Sequence, residues 1–219
     1  VNGRLDGKIQ LMRNRQWFNF LENPRLYRIV QIVTAPGAMT GIVSQLTRER
    51  GNRKPPRRVL DVGCGPASWL DQLGLVPFGV DASPSYAQAF AGSGRTAIVG
   101  TADLLPLRDG VFDEVWSFGL FHHLPDDMAR EAVAAMIRTT RDGGWTTVFD
   151  AVLPRPTILK ILPYVLRRMD RGRHVRSEEE NRLLFPEHDG WSVRRFRYTY
   201  TGLEGLICSR KKLVKPVQP

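Results

Sequence analysis

Val59-Leu60-Asp61-Val62-Gly63-Cys64-Gly65-Pro66-Ala67-Ser68 joins a short apolar run to a glycine turn, and the rest of the chain is arranged about it. Arg57 to Val62 is β-branched and apolar, long enough for a buried strand. Two glycines follow one residue apart, and then Pro66 stands where the first turn of a helix accepts proline. A strand that ends in such a turn and reopens as a helix brings backbone close to a ligand, because glycine has no Cβ to block the approach. Asp61, near the strand end, is placed to face that ligand. The pattern predicts a helix over about 66–73.

The order of the following elements sharpens this reading. Val76-Pro77-Phe78-Gly79-Val80-Asp81 reads as a second strand ending in an acid. In a doubly wound sheet an acid at that position hydrogen-bonds the ribose hydroxyls of an adenosine ligand. No basic residue in the loop is present to receive a 2′-phosphate. A third strand, Thr96 to Thr101, leads into Ala102-Asp103-Leu104-Leu105-Pro106-Leu107. Gly110 to Ser117 carries a fourth, and Arg141-Asp142-Gly143-Gly144-Trp145 precedes a fifth.

Taken together, these motifs resemble the class I, seven-stranded S-adenosylmethionine methyltransferases, most closely the group with the ubiquinone and menaquinone biosynthesis enzymes. The resemblance covers about Arg57 to Leu153. It implies an α/β, Rossmann-like, mostly parallel sheet of order 3-2-1-4-5-7-6 with the last strand antiparallel and helices on both faces. It also implies S-adenosylmethionine as cofactor, S-adenosylhomocysteine as product, and Asp61, Gly63, Gly65, Asp81, Ala82, Ala102, Asp103 and Ser117 as the cofactor-binding positions. Ala67 replaces a glycine common in the family. Thr101 stands where many relatives carry the Asp that reaches the adenine amino group, which passes that contact to Asp103 or the Ala102 backbone.

The composition agrees with an ordinary enzyme domain. The chain has 219 residues, 42% hydrophobic and 25% charged, and no apolar run approaches the ~20 residues that span a bilayer. No secretory pattern is visible. Cys64 and Cys208 sit in unrelated contexts and read as small buried residues, with neither a disulfide framework nor zinc-ligand spacing. The expected location is the cytoplasm, and no metal is expected.

The net charge of +10 is unevenly spread. Residues 1–58 hold 12 Lys and Arg against 3 Asp and Glu, residues 59–150 hold 5 against 12, and residues 151–219 hold 15 against 7. Basic flanks on an acidic core either serve the acceptor or form a solvated surface.

A single domain is expected: an N-terminal helical cap (1–56), a cofactor core (57–153), an inserted cap segment (154–190) and a C-terminal hairpin (191–212). Helices are predicted from Pro24 to Thr34, then, after the Ala35-Pro36-Gly37 break, in a second segment running to about Arg50, and over 84–91 and 126–140. Ser177 with Glu180 reads as a capping box, and Trp191–Tyr200 with Leu203–Ser209 as the hairpin. Thr157 to Met169 is apolar on most sides, and Arg167, Arg168, Arg171, Arg173 and Arg176 form the densest basic cluster. Guanidinium groups there suit an anionic or lipid-linked acceptor, an anionic membrane surface or RNA phosphates, or face solvent. Arg171 and Arg173 are the substrate-binding candidates.

Methyl transfer from a sulfonium is an in-line displacement, so the protein must position the acceptor. A general base helps only where a hydroxyl or carbon acid must lose a proton. After the fourth strand the chain reads Ser117-Phe118-Gly119-Leu120-Phe121-His122-His123-Leu124. The Asn/Asp-Pro-Pro-aromatic box of amino-directed enzymes is absent, and neither cysteine occupies the nucleophile motif of the cytosine-C5 enzymes. His122 and His123 are the candidate catalytic residues, of which at most one faces the methyl group; the alternative is that both pack the loop. The expected function is methyl transfer to oxygen or carbon of a small molecule. The alternatives are a tRNA or rRNA methyltransferase and a cofactor-binding protein without turnover.

Overall fold

The apolar run before the glycines forms β1, Val59–Val62, whose four residues are all buried. The computed structural model describes residues 38–154, 173–185, 190–199 and 202–214. The predicted helix at 24–34, the segment 157–169 and Arg171 lie outside these residues.

β1 pairs in parallel with β2 (Phe78–Asp81) on one side and β4 (Phe112–Phe118) on the other. β3 (Ala97–Val99) extends the sheet beyond β2, and β5 (Thr140–Ala151) extends it beyond β4, both in parallel. β7 (Glu204–Lys211) runs antiparallel to β5 and to β6 (Ser192–Arg197), so the seven strands follow the order 3-2-1-4-5-7-6. That is the predicted topology.

Four α-helices are described: α1 (Ala38–Arg50), α2 (Pro84–Ala91), α3 (Asp126–Thr139) and α4 (Glu178–Arg182). The two faces of the sheet are covered by different helices because side chains alternate along each strand. Leu60, Val62, Val115, Val148 and Leu206 face α3, whose Ala129, Ala132, Val133 and Met136 lie in the same core. Val59, Trp116, Phe149 and Ile207 face the other way, onto Ile42 and Leu46 of α1. α1 is therefore a packed helix of the sheet face. Gly41 permits the approach, since a Cβ there would lie 2.3 Å from the Tyr198 carbonyl oxygen.

Several boundaries differ from the sequence reading. The helix expected over 66–73 is a 3-10 turn, Trp69–Leu73, capped by Ser68, whose hydroxyl accepts from the Leu70 N–H at 3.1 Å. Helix cannot begin earlier because Ser68 is extended there and its hydroxyl is tied to Asp61. β5 starts at Thr140, before the glycine pair, and absorbs Gly143 and Gly144 as an irregularity between the pairings Phe112↔Thr140 and Glu114↔Trp145. Gly143 has φ +74°, and a Cβ on Gly144 would meet the Asp113 carbonyl oxygen at 2.7 Å. These two residues fold the bulge rather than precede the strand. Finally, β2 and β3 are shorter than their apolar runs. The capping box at Ser177 and Glu180 is present in both directions.

Candidate active site

The carboxyl ends of β1, β2 and β4 meet at the glycine loop. Gly63 and Cys64 donate their N–H groups to the Val80 carbonyl at 2.7 and 3.1 Å, which ties the loop to β2. Both Gly63 (φ +71°) and Gly65 (φ +58°) have the left-handed backbone that disfavours other residues. They differ in surroundings: a Cβ on Gly63 would strike Leu120, 2.9 Å away, whereas one on Gly65 would meet nothing within 4 Å among the described residues. Gly63 is a packing glycine, and Gly65 borders open space.

Two carboxylates flank this loop. Asp61 is 1% exposed. Its Oδ2 accepts from the Ser68 hydroxyl, and Oδ1 is buried without a hydrogen bond among the described residues. Burial above all pushes its carboxyl up to about 7, with the Asp81 charge adding to the rise and the Ser68 hydroxyl opposing it. Asp81 accepts from the Gly65 N–H through Oδ2 and from the Ser83 N–H through Oδ1, both at 2.8 Å. Burial raises it above the usual carboxylate range, and those two N–H groups pull it back. Asp81 therefore braces the glycine loop, a job that its position at a strand end did not disclose.

Ala82 follows Asp81 and is half-buried. Ala102 and Asp103 form a 3-10 turn, Ala102–Leu104, after β3. Arg138 of α3 holds the next loop by donating to the Leu105 and Leu107 carbonyls, each at 2.8 Å. Ser117 is fully buried within β4, its hydroxyl without a hydrogen bond among the described residues. Burial pushes both cysteine thiols up, and both are free. An apolar groove of about 400 Å³ between α3 and Leu183–Leu184 shares no residue with these loops.

The two histidines after β4 have different surroundings. They occupy a 3-10 turn, Phe121–His123, next to Leu120, the residue that packs on Gly63. His122 is 9% exposed and its Nδ1 lies 2.5 Å from Oδ1 of Asp150 in β5, itself 3% exposed. His123 is exposed, its ring centroid 4.1 Å from that of His122. Asp150 was missed in the sequence, although Phe149-Asp150-Ala151 carries the same signal as Asp81, an acid closing a parallel strand.

Arg176 corrects the reading of the basic cluster. It is 5% exposed. Its guanidinium donates to the Phe121 carbonyl (2.9 Å), the Leu124 carbonyl (2.6 Å) and Asp126 Oδ1 (2.7 and 2.9 Å). Its own carbonyl accepts from Leu153, and the His174 N–H donates to the His122 carbonyl. The chain around Arg176 thus clamps the histidine turn, and this arginine is not available to an anion. Arg173 is exposed.

The loops suit a cationic nucleoside ligand: an orphaned buried carboxylate oxygen on Asp61, a space at Gly65 that a side chain would fill, and the Asp81 carboxylate beside it. Residues 60–148 match the family model described as a methyltransferase domain. Among solved structures, an S-adenosylmethionine-dependent methyltransferase from Thermotoga maritima is 18% identical with a TM-score of 0.64, over 89% of this chain and 100% of that one. Another from Archaeoglobus fulgidus is 16% identical with a TM-score of 0.64, over 85% and 99%. A Haloferax volcanii protein in complex with the Trm112 methyltransferase activator is 16% identical with a TM-score of 0.63, over 92% and 98%. The chain thus matches a methyltransferase domain over residues 60–148 and shares the fold of the solved methyltransferases, and the cofactor that this match implies is S-adenosylmethionine.

Proposed function

We propose that the protein methylates oxygen or carbon of a small-molecule acceptor, one that is anionic or lipid-linked. The cofactor supplies an electrophilic methyl group on a sulfonium. In this reading Asp61, Gly63 and Gly65 border the charged part of the cofactor, and Asp81 accepts from the ribose hydroxyls while bracing Gly65. Ala82, Ala102 and Asp103 line the adenine, with Ser117 beneath it. The resemblance to the ubiquinone and menaquinone group favours a ring hydroxyl or ring carbon as the methylated atom, in the cytoplasm.

What carries small molecule over RNA is the fate of the flanking arginines. Phosphate tracking needs cations free to replace counterions. Arg50 pairs with Glu114, Arg53 with Glu49, Arg176 with Asp126, Arg182 with Glu178, Arg194 with Glu49, and Arg195 with Glu178 and Glu204. These arginines hold the fold together. RNA remains the second reading because residues 1–58 and 151–219 are so basic, with 27 Lys and Arg between them.

Incubating the protein with methyl-tritiated cofactor and separate RNA and small-molecule pools tests this. Label is expected in the small-molecule fraction, with the purified protein showing a protein-like 260/280 nm absorbance ratio. Label in RNA alone would replace this reading with the second one.

A further inference from the structure

We infer that the end of the sheet opposite the cofactor loops is a docking surface for an anionic lipid bilayer. This face is separate from the glycine loop, and its role stands whichever acceptor the enzyme methylates. The amino ends of β1, β4 and β5 meet the carboxyl end of β7 there, since Val59 pairs with Glu114, Glu114 with Trp145 and Trp145 with Lys211.

The acids at this end already have cations of their own. Glu114 pairs with Arg50 and Glu49 with Arg53, each at 3.3 Å. Asp109 is held by Arg138, Asp113 by Arg141, and Asp142 by Lys212 at 4.0 Å. That leaves Lys54, Arg57, Arg58, Arg108 and Lys211, all exposed and with no side-chain partner among the described residues. Their main chain is fixed to the sheet end. Arg57 and Arg58 donate their N–H groups to Asp113 Oδ2 at 2.9 and 2.8 Å, and the Lys54 carbonyl accepts from Arg50 at 3.1 Å. Arg108 stands in the loop that enters β4, where the Gly110 N–H donates to the Arg138 carbonyl at 3.0 Å.

Apolar side chains stand among these cations. Val76, Leu213 and Val214 are 79%, 79% and 71% exposed. They are three of the seven exposed large apolar residues among those described, so the exposure is concentrated at this end. A Cβ on Gly143 would lie 3.7 Å from Val214 and 4.0 Å from Arg141, which sets valine and arginine side by side. Val76 comes level with Arg58, because Leu60 pairs with Phe78. Neighbouring strands lie about 4.8 Å apart, so the edge from β2 to β7 is roughly 20 Å wide.

Unpaired cations with aliphatic side chains between them fit the headgroup boundary of an anionic membrane. The cations meet lipid phosphates, and the aliphatic groups enter the edge of the acyl layer. Three such groups bury too little apolar area to hold the protein alone, so attachment is reversible and screened by salt. A nucleic acid would leave the aliphatic groups facing water, and it gains from aromatic faces on which bases stack. The Trp145 ring at this end already stacks with the Arg53 guanidinium, 3.9 Å from its centre. Docked here, the protein turns the glycine loop and Asp81, at the carboxyl ends of β1 and β2, toward water.

The test sediments the full-length protein with vesicles of phosphatidylcholine, alone or with about one-third phosphatidylglycerol, and titrates it in parallel with a pool of transfer RNA. Wild type should bind the anionic vesicles, ignore the neutral ones and be released as salt rises from about 0.1 to 0.5 M. Arg57→Glu, Arg58→Glu and Lys211→Glu together should weaken vesicle binding about tenfold or more. The same variant should keep S-adenosylhomocysteine affinity within about twofold in calorimetry, because none of the three side chains contacts the cofactor loops. Leu213→Ser with Val214→Ser should weaken vesicle binding about threefold and leave the RNA titration unchanged. Wild type that does not sediment with anionic vesicles overturns the inference, whether or not any variant folds. Vesicle binding that survives the triple charge reversal also overturns it, by placing the lipid contact elsewhere on the molecule. RNA binding tighter than vesicle binding, with vesicles indifferent to the Leu213 and Val214 changes, would make this end a nucleic-acid surface instead.

Discussion

Replacing Arg176 with alanine should cost the fold about as much as a core truncation, although arginine is ordinarily a surface residue. The guanidinium is almost wholly buried and donates to two carbonyls, at 2.9 Å to Phe121 and 2.6 Å to Leu124. Hydrogen bonds from a charged donor are worth roughly 1.5–3 kcal/mol each. The lower end applies here, because the Phe121 carbonyl also accepts from the Leu124 N–H and is not left bare. The ion pair adds little, since the Asp126 side chain is 61% exposed. The sum is about 3 kcal/mol, which for a chain of this size lowers Tm by roughly 6–12 °C. Arg176→Lys should recover only part of this, because one ammonium cannot reproduce the fork of donors. Calorimetric melting with and without S-adenosylhomocysteine checks it, with ligand affinity expected within about twofold because Arg176 bonds to neither the β1 nor the β2 loop. A melting temperature within 2 °C of wild type would refute the clamp and return Arg176 to the anion-binding cluster.

Gly65→Val should fold yet lose S-adenosylhomocysteine binding in titration calorimetry, since its side chain enters open space at the loop; retained affinity would place the ligand elsewhere. Asp81→Ala should weaken that affinity more than tenfold, partly through lost ribose contacts of roughly 1.5–3 kcal/mol and partly through the freed Gly65 N–H. An unchanged Kd in a folded variant would count against both. Asp61 predicts a pH dependence of unusual sign. Its folded carboxyl sits at about 7, against about 3.9 unfolded, so between those values the folded state holds the extra proton and stability falls as pH rises. Denaturant midpoints of the ligand-free protein should decline from pH 4 to 7, and Asp61→Asn should flatten the decline; a slope unaffected by the substitution would reassign it.

The glycine loop and the succession of strands along the chain were legible in the sequence because their causes are local. A β-branched run before Gly63 and Gly65, an acid at Asp81 and turn residues at Gly110 and Gly202 act within a few positions of themselves, and the sheet order was the one implied by the family that this succession of motifs resembles. α2 and α3 were legible for the same reason: Pro84 and the pair Asp126–Asp127 mark the starts where helix geometry and dipole favour them. What tertiary structure decided are contacts between residues far apart in the chain. Ser68 shortens a helix because it bonds to Asp61 across the loop. Asp150 meets His122 because β4 and β5 are neighbours, and that separates two adjacent histidines which sequence could not tell apart. Arg176 looked like one of five equivalent arginines, and only packing against Phe121 and Leu124 distinguishes it from the exposed Arg173. Charge along a sequence reports which groups are present, but whether a cation meets solvent, a ligand or a buried carbonyl depends on the three-dimensional neighbours that desolvate it.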